Sequence, residues 1–182
     1  LSALPLLAPQ QAWAQAGAAK TSVGANEKIM DIAKRIRYPN ATLNQMALAL
    51  VRANPGAFAL RSERQLIPGA EIIIPAEPDV LATDPATADR EISRLAKADA
   101  LYRTAVVAER KGDMPKAMRA YLTAAHMGHA LADHRLGQLY DWDPTGKVPH
   151  DLAESIAFYQ SARKRGVKVE GPLRREPPVT GR

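Results

Sequence analysis

Few residues in this chain have the type and spacing to do chemistry. It has no cysteine, which removes thiolate nucleophiles, thiolate zinc sites and disulfide staples together, and fits oxidising and reducing compartments alike. Of its four histidines, His126 and His129 stand with Asp133 at i, i+3 and i+7, a spacing that on an unbroken helix would share one face like metal ligands. Gly128 interrupts that helix, so no metal centre is expected; His134 and His150 read as solvated. Glu154 followed by Ser155 offers a carboxyl beside a hydroxyl, but inside a stretch with helical periodicity and no room for a cleft. No Gly-rich loop follows a strand, so a nucleotide cofactor is unsupported. Asn40-Ala41-Thr42 has the form of a glycosylation sequon, yet Thr42 reads as a helix cap. No constellation meets the geometric requirements of a catalytic site, and the chain is expected to be non-enzymatic with no cofactor.

The elements are better defined than the chemistry. From Thr42 the apolar residues Leu43, Met46, Ala47, Leu50 and Val51 recur at i, i+3, i+4, i+7 and i+8, one face of a 3.6-residue period. Thr42 and Gln45 have capping-box spacing. Asn54-Pro55-Gly56 closes the helix, Pro68-Gly69 marks a turn, and the β-branched run Ile72-Ile73-Ile74, bounded by Pro75, predicts a strand. Upstream, Lys20 to Val23 predicts a short strand. Ile29, Ile32, Ala33 and Ile36 predict a first helix ending before Tyr38-Pro39, because a residue preceding proline is pushed out of the helical region. The order strand, helix, helix, strand within about 55 residues suits a small domain, with two antiparallel strands and two helices burying the isoleucines against Leu43, Met46, Leu50 and Ile73.

The charge is uneven. The net is +6: residues 20–76 carry 8 basic and 4 acidic side chains, residues 77–162 carry 10 and 13, and residues 163–182 carry 7 and 2. The basic tail has no aromatic residue for base stacking, so nucleic-acid binding is not expected. Attraction to an anionic wall polymer or membrane surface fits the same charge. Leu1 to Ala16 has a short apolar run and a small-x-small end at Ala14-Gln15-Ala16, the pattern of the back half of a secretory signal peptide with cleavage before Gly17. The run is too short for a membrane span of roughly 20 residues, and no transmembrane segment is expected elsewhere.

The segment Thr21–Pro75 resembles a LysM-like domain, in the variant found at the N-terminus of FimV-type polar hub proteins of bacteria. The resemblance rests on Ile29-x-x-Ile32-Ala33-x-x-Ile36, on Leu48-x-x-x-Arg52-Ala53-Asn54-Pro55-x-x-Phe58, and on Leu66-x-Pro68-Gly69-x-x-x-x-Ile74-Pro75. It implies non-catalytic binding to the N-acetylated glycan strands of peptidoglycan. The family's aromatic in the first strand and its Gly-Asp-Thr-Leu turn are replaced here by Thr21 and by Asn26-Glu27-Lys28-Ile29. By carry-over from the family's shallow sugar groove, Glu27, Lys28 and Ile29 on one side and Phe58, Leu60 and Arg61 on the other are the candidate glycan contacts. The altered turn also fits a module that keeps the fold as a protein-docking or spacing unit. The engines of the cell-wall hydrolases that often carry such domains are missing: there is no Cys-His pair and no His-x-His zinc pair, and Glu154-Ser155 copies a lytic-transglycosylase dipeptide by chance.

Residues 77–86 read as a linker, with Asp84-Pro85 starting the next helix. From there to Gly166 the pattern is helical and repeats. Tyr121 and Tyr159, Ala124 and Ala162, and Gly128 and Gly166 are each 38 residues apart. Helices are expected over roughly 86–111, 114–127, 130–141 and 150–165. The stretch resembles tetratricopeptide-type repeats, with Ala124 to Tyr140 and Asp151 to Gly166 similar to the Sel-one-like kind, which implies protein binding along a concave face.

The expected architecture is therefore α+β: a signal-peptide remnant (1–16), a βααβ LysM-like domain (17–76), a linker (77–86), an all-α tetratricopeptide-like repeat domain (87–166) and a disordered basic tail (167–182). The expected function is an exported, periplasmic or envelope-associated scaffold. It would bind peptidoglycan through the first domain and an envelope protein through the repeats, in type IV pilus or secretion assembly by the FimV resemblance. The alternative is a periplasmic adaptor without glycan affinity.

Overall fold

The computed structural model describes residues 19–25, 27–57 and 69–169. The described residues are mostly helical, with a small two-stranded antiparallel sheet near the N-terminus. The elements run β1 (Lys20–Ser22), α1 (Ile29–Ile36), α2 (Leu43–Ala53), β2 (Glu71–Ile73), α3 (Glu77–Leu81), α4 (Pro85–Arg110), α5 (Met114–His126), α6 (Ala130–Asp141) and α7 (Leu152–Lys164). It divides into two compact units at Arg94/Leu95, inside α4.

In the first unit β1 pairs antiparallel with β2 in the register Lys20↔Ile73, Thr21↔Ile72, Ser22↔Glu71. Helix α1 buries Ile29, Ile32 and Ala33, the i, i+3, i+4 set of its sequence pattern. Its entry has no side-chain acceptor, because lysine at position 28 can only donate; the Asp31 carboxylate instead accepts the Lys28 N–H at 3.0 Å. Helix α2 starts with both halves of the expected capping box: Thr42 Oγ1 accepts from the Gln45 N–H (3.2 Å) and Gln45 Oε1 from the Thr42 N–H (2.8 Å). Ile32, Met46, Leu50 and Ile72 are fully buried and meet in one core. Each such side chain contributes about 1.5–3 kcal/mol of burial.

The segment expected as a linker is not one at its start. Glu77–Leu81 forms α3, which packs on α2 and fully buries Val80 in the first core. Polar side chains hold the stretch in place: Tyr38 Oη donates to Pro75 O (3.1 Å), Gln45 Nε2 to Thr83 O (2.6 Å) and Arg52 Nη1 to Thr83 Oγ1 (2.8 Å). One valine has no periodicity, so such a helix is invisible to a pattern search. The Asp84 carboxylate then accepts the Thr87 N–H at 2.9 Å, the cap expected for α4.

The second unit repeats itself in detail. Asp113 caps α5 by accepting from the Lys116 N–H, and Asp151, 38 residues on, caps α7 by accepting from the Ala153 and Glu154 N–H groups. Helix α5 ends with His129 N–H on Ala124 O and Gly128 N–H on Ala125 O; α7 ends with Val167 N–H on Ala162 O and Gly166 N–H on Arg163 O. Both are the same Schellman closure, with Gly128 at φ 92° and Gly166 at φ 91°, where any side chain would be strained, and α4 closes the same way at Gly112 (φ 76°). Tyr121 and Tyr159 are both buried, as are Ala124 and Ala162.

Helices α6 and α7 approach closely at Gly137: a Cβ there would stand 2.7 Å from the Tyr159 ring. Between α4 and α6, Arg135 makes an ion pair with Glu109, whose Oε2 also accepts from Tyr121 Oη at 2.6 Å. The 142–151 loop is organised by Asp143, whose carboxylate accepts from the N–H groups of Thr145, Lys147 and Val148. The basic tail begins later than 167, since Val167 and Val169 are buried. Residues 170–182, like the expected signal-peptide remnant 1–16, lie outside the described residues. No helix among those described is long and apolar enough to cross a membrane.

Candidate functional site

The turn expected to line a glycan groove is held mostly by its own contacts. Glu27 Oε2 accepts the Gly24 N–H at 2.8 Å and Glu27 Oε1 accepts Arg35 Nε at 3.0 Å. From α1, Arg35 also donates through Nη1 to Thr21 Oγ1 (3.0 Å) and through Nη2 toward Ser22 O (3.4 Å). One guanidinium thus ties β1, the turn and α1 together. The Gly24 N–H, with the Arg35 guanidinium second, holds the Glu27 carboxyl below its ordinary value. Ile29 is 8% exposed and belongs to the core, so it has little surface to offer a sugar. Lys28 alone of the three is exposed, an ammonium on a long stem. Phe58, Leu60 and Arg61, the candidates on the opposite side, lie outside the described residues.

Two residues complete this unit through contacts that their place in the sequence did not announce. Arg35 is one. Asn54, the C-cap of α2, is the other: Nδ2 donates to Leu50 O (2.9 Å) and to Ile73 O (2.9 Å), while Oδ1 accepts the Ile73 N–H (2.7 Å). The ladder bonds to β1 run through the Ala19–Ile74 and Val23–Ala70 pairs, so the N–H and C=O of Ile73 point away from β1. The Asn54 amide meets both and takes the place of a third strand. An asparagine directly before Pro55, at the end of an amphipathic helix, was the available signal, since its side chain can imitate a peptide group.

His126, His129 and Asp133 do not face one another. His126 is exposed, and His129 is fully buried as the N-cap of α6, its Nδ1 accepting from the Ala132 N–H at 3.2 Å. Its Nε2 stands 3.9 Å from Asp99 Oδ1, and its ring stacks on Tyr102 at 4.5 Å. Asp133 turns elsewhere, accepting from Arg165 Nε (2.8 Å) and Ser161 Oγ (3.0 Å). Burial pushes its carboxyl up against the opposing pull of those two donors. Among the described residues no three His, Asp or Glu side chains converge as a metal would require. His134 is half-buried beside Tyr159 at 5.9 Å rather than solvated, and burial lowers its pKa, with the Arg135 charge adding to the effect; His150 is exposed as expected. Ser155 is wholly buried, its Oγ donating to Gly137 O at 2.9 Å, while Glu154 faces solvent. Their adjacency is structural.

The second unit carries a shallow charged groove of about 430 Å³, lined by Arg103, Thr104, Val107, Lys111, Asp113 and Lys116. Arg103 pairs with Asp99 at 3.1 Å and Asp113 is occupied as a cap. Lys111 and Lys116 add positive charge to its lining, and half-exposed Val107 adds apolar surface. Such a surface suits an acidic segment with an apolar anchor. No family model, curated protein or solved structure matches this chain.

Proposed function

We propose that this protein is a non-catalytic, exported envelope scaffold that contacts peptidoglycan glycan strands through its N-terminal βααβ unit and an envelope protein through its helical pairs. The observation that carries this reading is the element order itself. An antiparallel β1–β2 pair brackets α1 and α2 around one core, as a LysM-like domain requires, and helix pairs with duplicated caps follow it. The groove bearing Lys111 and Lys116 supports an acidic protein partner for the second unit. Type IV pilus or secretion assembly is the process that the FimV-type resemblance suggests.

A second reading has a specific observation in its favour. Glu27 is committed to Gly24 and Arg35, and Ile29 to the core, which leaves Lys28 as the exposed one of the three candidates there. A protein-only periplasmic adaptor would keep the fold under those conditions. Co-sedimentation with purified peptidoglycan separates the two. For the scaffold, the mature chain pellets with the wall polymer at physiological salt, and Phe58→Ala and Lys28→Ala each reduce retention by about threefold or more. Retention that ignores both variants and vanishes in moderate salt reports basic charge alone and favours the adaptor.

A further inference from the structure

Helix α7 leaves open a face that its counterpart in the preceding repeat keeps covered. Positions 114, 118 and 125 of α5 correspond, 38 residues on, to 152, 156 and 163 of α7. In α5, Met114 is 4% exposed, Met118 packs on the second core and Ala125 is buried. In α7, Leu152 is 49% and Ile156 39% exposed. They lie one turn apart, and the exposed Ala153 and Ala157 sit beside them at the same spacing, so the strip is apolar along one side of the helix.

The charges on this helix select its occupant. Glu154 stands in the first turn and Arg163 and Lys164 in the last. A second α7 laid antiparallel on the first, with the two-fold axis near Ala157 and Gln160, sets Glu154 of each copy against Lys164 of the other. A parallel arrangement sets like charges together. The antiparallel arrangement also opposes the helix dipoles, and the alanines at its centre let the two backbones approach. We propose that α7 is the seat of an isologous, antiparallel contact between two copies of this chain. A strip on one helix falls below the area of permanent dimers, so the contact is concentration-dependent, with a dissociation constant on the order of 100 µM.

The absence of native cysteine makes the test direct. Sedimentation equilibrium on the full chain over a concentration series should show a monomer–dimer equilibrium. Ile156→Glu should weaken it by about tenfold or more. Glu154→Lys should weaken it by about threefold, and Glu154→Lys combined with Lys164→Glu should restore it. Under mild oxidation Ala157→Cys should form a disulfide dimer much faster than Thr123→Cys on the exposed side of α5, a comparison that does not depend on the fold tolerating a buried change. A chain that stays monomeric throughout overturns the proposal, even if the same face captures a different protein. So does a dimer indifferent to Ile156→Glu, or equal cross-linking at positions 157 and 123.

Discussion

The two units of this molecule hold together by different means. The first gathers large aliphatic side chains from elements far apart in sequence: Ile32, Met46, Leu50 and Ile72 come from α1, α2 and β2. Among the described residues its sheet has two strands, a number that is marginal alone, and one amide, Asn54, answers the outward-facing backbone of Ile73. The second unit has a core rich in alanine, at positions 105, 108, 117, 124, 125 and 132. Its helices are neighbours in sequence, its ends are closed by repeated caps, and the close approach of α6 to α7 depends on the missing side chain of Gly137. A fold of non-local contacts concentrates its vulnerability in one clamp. A fold of repeated local units spreads it over equivalent positions.

The contrast can be broken at its strongest point first. Asn54→Ala leaves the N–H and C=O of Ile73 and the carbonyl of Leu50 without this partner, and should cost the first unit about 3 kcal/mol. Hydrogen exchange followed peptide by peptide should show lost protection in 19–57 and 69–82 with 95–169 retained. Uniform loss, or none, would end the idea of a local clamp. Gly137→Ala should cost the second unit about 2 kcal/mol in urea denaturation, the strain of overpacking outweighing the gain in helix propensity. Adding Tyr159→Ala should recover part of that strain in a double-mutant cycle, and strict additivity would argue against contact at that seam.

Smaller effects sharpen the account of the repeat. Asp113→Ala and Asp151→Ala should each cost about 1 kcal/mol and differ little, because both remove the same cap. A large inequality in denaturation midpoints would show that the two helix starts are not equivalent. Arg135 and Tyr121 hydrogen bonds outweigh burial and depress the Glu109 carboxyl below its ordinary 4.5. A depressed folded-state value means that the stabilisation is complete above 4.5 and is lost as pH falls through the folded-state value. Acid titration of the second unit should therefore be shallower in Glu109→Gln than in the parent; identical acid curves would remove Glu109 from the account.

Much of this was legible from residue order, for identifiable reasons. The helices at 29–36, 43–53, 114–126 and 130–141 follow from periodicity and from caps such as Thr42, whose partner Gln45 sits at the required spacing. The strand pair followed from β-branched residues between Gly69 and Pro75. Helix α3 did not, since a single buried apolar residue, Val80, ties it to the core and the stretch after it is held by hydrogen bonds from Gln45 and Arg52 to Thr83. The candidate glycan turn was legible only as a resemblance. That Glu27 serves Arg35 and that Ile29 faces inward depend on where α1 lies against β1, a relation that spacing along the chain does not encode.

Order and spacing alone determined the helical periods, the proline and glycine stops and the 38-residue echo, because each is a local property of backbone sterics and side-chain period. Tertiary structure alone decided which polar groups were consumed internally. Asn54 completing a sheet, Ser155 bonding Gly137 across two helices, and His129 buried over Asp99 all require partners that are remote along the chain. Buried polar groups must find such partners wherever the fold brings them, and only the assembled fold determines which side chains remain free to meet a ligand.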